Sequence, residues 1–314
     1  MLGGCSARSD PEPPAGGGPS TSSRSPTPSR SASSAPPADA LLRTTPWKAA
    51  AGEVSPQVKL RAVKLLETVA SWSTATAGLA DARQRLRERG YDPDLVEPLA
   101  GLVGTGKAAT AQVVMAQYGG ILATSASVLA VLNQWVLGTG GKVVAGGTTV
   151  DIRLAYQQPD WVVTDVFPAN LPRPAAQLSK SARRVLNNPR ITLPFAAAAD
   201  VRSGQIHDSV LGAMNALSAD FEVDVSVLKS GHPINVFGTT RQSNHTDGRA
   251  VDVWAIDNKP VIDQANQARV ARFMRAAAAT GTWQVGGPIN LDGDGTAFFA
   301  DDTHQDHIHM GFTT

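Results

Sequence analysis

Two short stretches near the C-terminal end alternate with period two, and they restrict the fold more than any other feature of the 314-residue chain. In Arg249-Ala250-Val251-Asp252-Val253-Trp254, a strand would place Ala250, Asp252 and Trp254 on one face and Val251 and Val253 on the other. In His307-Ile308-His309-Met310-Gly311-Phe312, His307, His309 and Gly311 share one face, and Ile308, Met310 and Phe312 the other. Two such strands, paired or close in one sheet, bury their aliphatic faces and aim Asp252, His307 and His309 into one cleft. The loop before the first strand adds His245, with Gly248 supplying a backbone angle that other residues resist.

A histidine, a carboxylate seven positions on and a distant His-x-His supply three metal ligands and leave one histidine over. Three protein ligands with an open position is the arrangement of catalytic zinc, whereas structural sites are closed by four ligands, often cysteines. The only cysteine is Cys5, which excludes a thiolate site. The competing account of these residues is a polar network without metal.

The pattern Ser243-x-His245-x-x-Gly248-x-Ala250-x-Asp252 resembles the first signature of D-alanyl-D-alanine carboxypeptidases and dipeptidases of the VanY and VanX type. Asp306-His307-Ile308-His309 is similar to the His-x-His block of lysostaphin-type enzymes and penicillin-insensitive murein endopeptidases. The resemblance covers residues 185 to 314 and implies the Hedgehog/DD-peptidase fold, an antiparallel sheet flanked by helices. It implies one zinc ion held by His245, Asp252 and His309, with His307 as the catalytic histidine. The glutamate base of the VanY type is replaced by Asp306, one methylene shorter. Its Ser-Gly-Tyr-Arg segment reads Ser230-Gly231-His232-Pro233, so Arg241 is the expected substitute for a substrate-holding arginine. Arg241, Ser243 and His232 are the expected substrate-binding residues, with packing as the plainer role for His232.

The implied reaction is metal-assisted hydrolysis of an amide in peptidoglycan stem peptides or crosslinks. The catalytic pair is His307 and Asp306; the ordinary pKa of histidine favours His307 as base, and Asp306 could instead orient a ligand. One alternative is a zinc-bearing wall-peptide-binding lipoprotein without turnover. Another places the function in the N-terminal half and makes the C-terminal unit structural.

A formal charge of +1 argues against a nucleic-acid partner. Gly101 to Ala108 nearly spells a phosphate-binding loop, but Ala108 stands where Ser or Thr should bind magnesium, so a Gly-rich loop between helices is expected and no nucleotide. Asn290-Leu291-Asp292-Gly293-Asp294-Gly295, with Asp301 at position 12, partly follows a calcium loop; an Asp-Gly turn is the simpler account. His207 reads as a surface residue and His304 as a loop residue beside Asp302.

The expected organisation is α+β. Residues 1–45 form a Ser/Pro/Gly-rich tether that cannot build a core. Met1-Leu2-Gly3-Gly4-Cys5 resembles a lipobox with Cys5 as the acylated residue, which implies missing upstream signal residues, a lipid anchor in the membrane and an extracytoplasmic place in the cell envelope. Residues 46–167 form a small α+β unit resembling accessory domains of the nuclear-transport-factor-2 type. It has helices over Val58 to Trp72, with Leu60 on the apolar face, and Leu79 to Arg89, then strands over Ala130 to Leu137, Lys142 to Tyr156 and Trp161 to Phe167. Residues 168–189 read as a Pro-rich basic linker and 190–314 as the zinc-peptidase-like domain. The latter has helices over Ser209 to Leu217 and Ile262 to Ala279 and a strand over Phe221 to Leu228.

Overall fold

An apolar stripe with one charged residue inside it builds the first helix. Pro56 opens α1 (Pro56–Ala70), a position where its missing N–H is not needed. Val58, Ala62, Val63, Leu65, Leu66 and Val69 are buried, and so is Lys59, at 0% exposure. Leu60, expected on the apolar face, is 45% exposed; the helix turns its neighbour inward instead. The computed structural model describes residues 41–104 and 106–313.

After α1 come α2 (Leu79–Glu88) and a 3-10 stretch, Pro93–Leu102. Four strands follow, β1 (Ala108–Ile121), β2 (Ser125–Leu137), β3 (Val143–Gln157) and β4 (Asp160–Pro168), paired antiparallel in the order β1-β2-β3-β4. Strand β1 was not expected. Its alternation is broken by register shifts between Val113 and Met115 and between Tyr118 and Gly120, and its many alanines and glycines carry little strand signal. The Gly-rich segment therefore joins a 3-10 helix to a strand, not two helices.

The segment expected as a linker contains α3 (Lys180–Leu186), whose Ala182 and Val185 are buried. Then come β5 (Ile191–Thr192), α4 (Phe195–Ser203), α5 (Asp208–Leu217), β6 (Val223–Val227), β7 (Ala250–Ile256), β8 (Lys259–Pro260), α6 (Gln267–Ala278), β9 (Gln284–Gly286), β10 (Phe298–Phe299) and β11 (Ile308–Gly311). The second sheet runs β10-β9-β11-β7-β6-β5, with β8 against β7. Its centre, β9-β11-β7-β6, is antiparallel as expected; β10 and β5 pair parallel with their neighbours. The protein is thus a mixed α+β fold with two sheets.

Each sheet has its own apolar core. The first packs α1 and α2 on Ala111, Val113, Val128, Ala130, Ile152 and Leu154; the second packs α5 and α6 on Val223, Val225, Val251, Val253, Ile308 and Met310. Yet the described residues belong to one compact unit, because the first sheet is buried on both faces. Gln117, Ser127, Leu129, Val131, Thr149 and Asp151, on the face away from α1, are also buried. The second half covers them: Arg153 lies 5.3 Å from the Phe237 ring centre, and a Cβ at Gly231 would meet Thr149. Arg153 in turn grips the Asp151 carboxylate, with Nε 2.8 Å from Oδ2.

Candidate metal centre

Register brings the site's first two residues together. β11 pairs antiparallel with β7 so that His309 lies opposite Asp252, and His309 Nδ1 stands 2.9 Å from Asp252 Oδ1. His245 arrives from the turn before β7. Ser243 Oγ accepts from His245 N at 3.3 Å, Gly248 N donates to His245 O at 3.0 Å, and Arg249 N donates to Asn244 O at 2.9 Å. Gly248 sits at φ 67°, and a Cβ there would run into the carbonyl oxygen of Gln205. Both demands exclude other residues.

His245 Nδ1 lies 2.5 Å from the carbonyl oxygen of Leu228. A carbonyl only accepts, so Nδ1 carries a proton, and Nε2 is the ring atom left to face the site. That Nε2 is 3.2 Å from Asp252 Oδ1 and 3.2 Å from His309 Nδ1. His232 is stacked on His245, with ring centres 4.0 Å apart and planes 15° from parallel. His232, His245 and Asp252 each bring a ligand atom within 4.8 Å of one another, a group that can hold a metal ion. Burial, with the neighbouring His245, holds the pKa of His232 well below the usual histidine range. Burial likewise lowers that of His309, to about 4, so both rings are neutral near pH 7. Burial works against the Asp252 charge, but His245 and His307 outweigh it and keep this carboxylate ionised.

Beside this group stands His307. Its Nδ1 is 2.6 Å from Asp306 Oδ1, and its Nε2 is 3.8 Å from Asp252 Oδ2. Burial opposes a charge on His307, but Asp252 and Asp306 together raise its pKa above the ordinary value. Asp306 is almost completely buried, and Lys59 forms a salt bridge to its Oδ2 and a second one to Glu53. Burial alone would raise the Asp306 pKa; Lys59 and the His307 hydrogen bond bring it below the ordinary carboxylate value. Asp306 is absent from the cleft wall, so it is placed to orient His307, not to meet a substrate.

The cleft in front of these residues has a volume of about 670 Å³. Arg241, Ser243 and His232, the expected substrate-binding residues, all line it, as do Tyr118 and Phe237. Arg241 is exposed, while Ser243 is buried and serves the turn that carries His245. His304, read as a loop residue, also lines the cleft. Its ring centre is 5.0 Å from that of His307, and its Nδ1 is 2.7 Å from Asp301 Oδ1.

The stretch that partly follows a calcium loop forms the simpler Asp-Gly turn, with Gly295 N donating to Asp292 O at 3.1 Å and Gly293 at φ 62°. Asp292 Oδ2 accepts from Ala297 N, and Asp301 Oδ1 accepts from Thr303 N and His304 N. These carboxylates satisfy local backbone, and among the described residues they form no metal-holding group. Cys5 and nearly all of the expected tether lie outside the described residues; Thr45, at the tether's end, donates its N–H to Gln112 Oε1 at 2.8 Å. Among the described residues no helix is long and apolar enough to cross a membrane.

Sequence reasoning missed Lys59 and Gln117. Gln117 Nε2 donates to Asp252 Oδ2 at 2.6 Å from the middle of β1. Lys59 had left a signal: with Ala62, Val63 and Leu66 it completes the i, i+3, i+4, i+7 stripe of a buried helix face. Gln117 left none, because its strand was not recognised. Comparisons with protein-family models, with curated proteins and with solved structures find no match to this chain.

Proposed function

We propose that the chain is a zinc-dependent peptidase that hydrolyses peptidoglycan stem peptides or crosslinks in the cell envelope. The observation that carries this reading is the triangle of His245 Nε2, Asp252 Oδ1 and His309 Nδ1, with sides of 3.2, 3.2 and 2.9 Å. Tetrahedral zinc with bonds of about 2.0–2.1 Å spaces its ligand atoms about 3.3 Å apart, so the triangle fits such an ion with little adjustment. Imidazole and carboxylate donors suit zinc, and His245, Asp252 and His309 would hold it beside the cleft. His232 is the less suitable third nitrogen. A metal lies in the plane of an imidazole ring, and two nearly parallel rings stacked 4.0 Å apart cannot both hold one ion in plane.

When bound, zinc supplies Lewis acidity and a water acidified to a pKa of about 7. The chain's own residues do the rest. Asp306 accepts from Nδ1–H of His307, which leaves Nε2 facing the ligand group; a cation bound there would offset the Asp252 charge that raises the His307 pKa and so free Nε2 to act as a base. Nε2 takes a proton from the attacking water and returns it to the leaving amine as the C–N bond breaks. Such general acid-base help is worth about 10²- to 10⁴-fold in rate. Asp252 is ionised and His309 holds one proton, which sits on Nδ1 against Asp252 Oδ1 and would move to Nε2 for Nδ1 to take a metal. Arg241, the exposed cation of the cleft wall, suits a substrate carboxylate. The wall substrate and the lipid anchor rest on the motif resemblance and on Cys5.

Full-length protein, assayed for bound zinc and for amine release from crosslinked muropeptides beside His309→Ala, tests the proposal. One zinc per chain and cleavage, both lost in the variant, is the expected result. Zinc without cleavage makes the protein a wall-peptide binder, and absence of zinc after growth in zinc-supplemented medium removes the mechanism.

A further inference from the structure

Two side chains from the first half cross into the second and end on its carboxylates. Lys59, from α1, salt-bridges Asp306; Gln117, from β1, donates to Asp252. We infer that Lys59 and Gln117 are positioning residues of the cleft, Lys59 acting through Asp306 on His307 and Gln117 acting on Asp252, so that the first half completes the site. The inference deepens the hydrolytic reading above and rests on it.

The two oxygens of Asp306 have separate partners. Oδ1 receives His307 Nδ1 at 2.6 Å, and Oδ2 receives Lys59. A carboxylate held at both oxygens does not turn about its Cβ–Cγ bond, so the acceptor for His307 stays in place and Nε2 stays aimed at the ligand group. Without Lys59, Oδ2 has no partner, Glu53 remains nearby as a second buried carboxylate, and Asp306 is free to turn. Gln117 does the corresponding work on Asp252. It occupies Oδ2, which leaves Oδ1 to face His245 and His309 and makes Asp252 a one-oxygen ligand. Partners that orient ligating groups in this way commonly change metal affinity about 10- to 100-fold.

Packing alone does not account for either residue. A completely buried lysine between two carboxylates is costly to desolvate, and apolar residues of similar volume often replace such groups with no loss of stability. The buried Oε1 of Gln117 has no hydrogen-bond partner among the described residues, so the one bond its amide makes is the bond to Asp252.

The test uses the full chain with three readouts: zinc affinity by chelator competition, turnover of a crosslinked muropeptide, and the histidine ring resonances of ¹⁵N-labelled protein with and without zinc. Lys59→Met is expected to lower kcat by about 10-fold or more, to leave zinc affinity and KM near wild-type values, and to shift or erase the downfield Nδ1–H resonance of His307. Gln117→Leu is expected to weaken zinc binding about 10- to 100-fold, with kcat recovered at saturating zinc. If Lys59→Met does not fold, Glu53→Gln/Lys59→Met removes both charges and carries the same expectation. Wild-type kcat with an unmoved His307 resonance in the lysine variant, or wild-type zinc affinity in the glutamine variant, overturns the role of that residue. If the wild-type protein cleaves nothing, the peptidase reading falls, and the His307 resonance alone decides the role of Lys59.

Discussion

The first sheet is made of strands of 14, 13, 15 and 9 residues, whereas the longest strand of the second has 7 and three have only 2. Long antiparallel strands joined by short turns specify themselves, because each register is extended by the next hydrogen-bonded pair. Short strands cannot, and β11, with four residues, depends on β7 and β9 at either side and on the helices beneath. The candidate site nevertheless sits on the short strands and the turns beside them, at their boundary with the long ones. Strand ends and loops free polar side chains from the apolar core, and a rigid neighbouring sheet can then hold those side chains from outside.

The contrast is sharpest in unfolding. Leu65→Ala, at a completely buried position of the first core, should cost about 2–5 kcal/mol. If the halves form one cooperative body, disruption of the His245–Asp252–His309 cluster and loss of the first sheet will share a single denaturation midpoint in this variant, lowered to the same extent. Separate midpoints would show that the first half melts alone and that the two sheets are only neighbours.

Acid offers a second way to separate them. His309 is half-buried and neutral, with its pKa near 4 in the fold against 6.5 ordinarily. Between those values the unfolded chain binds a proton that the folded chain refuses, so stability falls as pH drops from about 6.5 to about 4 and this contribution levels off below. The loss for zinc-free protein should be at most about 3 kcal/mol. Urea midpoints across this window, wild type against His309→Asn, will show the steeper fall in the wild type; equal slopes would mean that the fold does not hold His309 neutral. The smallest effect is expected at Leu60→Lys. The side chain is largely exposed, so stability should change by no more than about 0.5 kcal/mol by thermal or urea melt. A loss of several kcal/mol would mean that residue 60 faces the core and that the orientation of α1, and with it the place of Lys59, is wrong.

Much of this architecture can be read from the sequence. The helices near Val58 and Leu79, strands β2 to β4, β6, β7 and β11, and helices α5 and α6 follow from local periodicity, and their ranges in the structure differ from it by a few residues. His245, Asp252, His307 and His309 were singled out by residue type and spacing, and they do converge. The stretch at residues 290 to 295 forms the Asp-Gly turn that was its simpler account, with the Asp292 and Asp301 carboxylates accepting from nearby backbone N–H groups. β1 failed because bulges and small residues blur the alternation on which strand recognition depends. The segment read as a linker also holds a helix, because a proline-rich composition does not prevent the seven residues of α3 from forming one with two buried side chains.

The sequence by itself determined the side-chain chemistry available to the site: imidazoles and one carboxylate that could serve as ligands, a single cysteine far off in sequence, and a glycine where the turn carrying His245 needs a positive φ. Period-two alternation around Asp252 and His309 also determined which side chains could share a face. Only the tertiary structure decided that His309 stands opposite Asp252, that His232 stacks on His245, and that Lys59 and Gln117 reach the site from more than a hundred residues away in sequence. Periodicity reports what one element does with its own neighbours. Which partner a buried lysine or glutamine meets is set by how two sheets pack, and that depends on the summed burial of both cores.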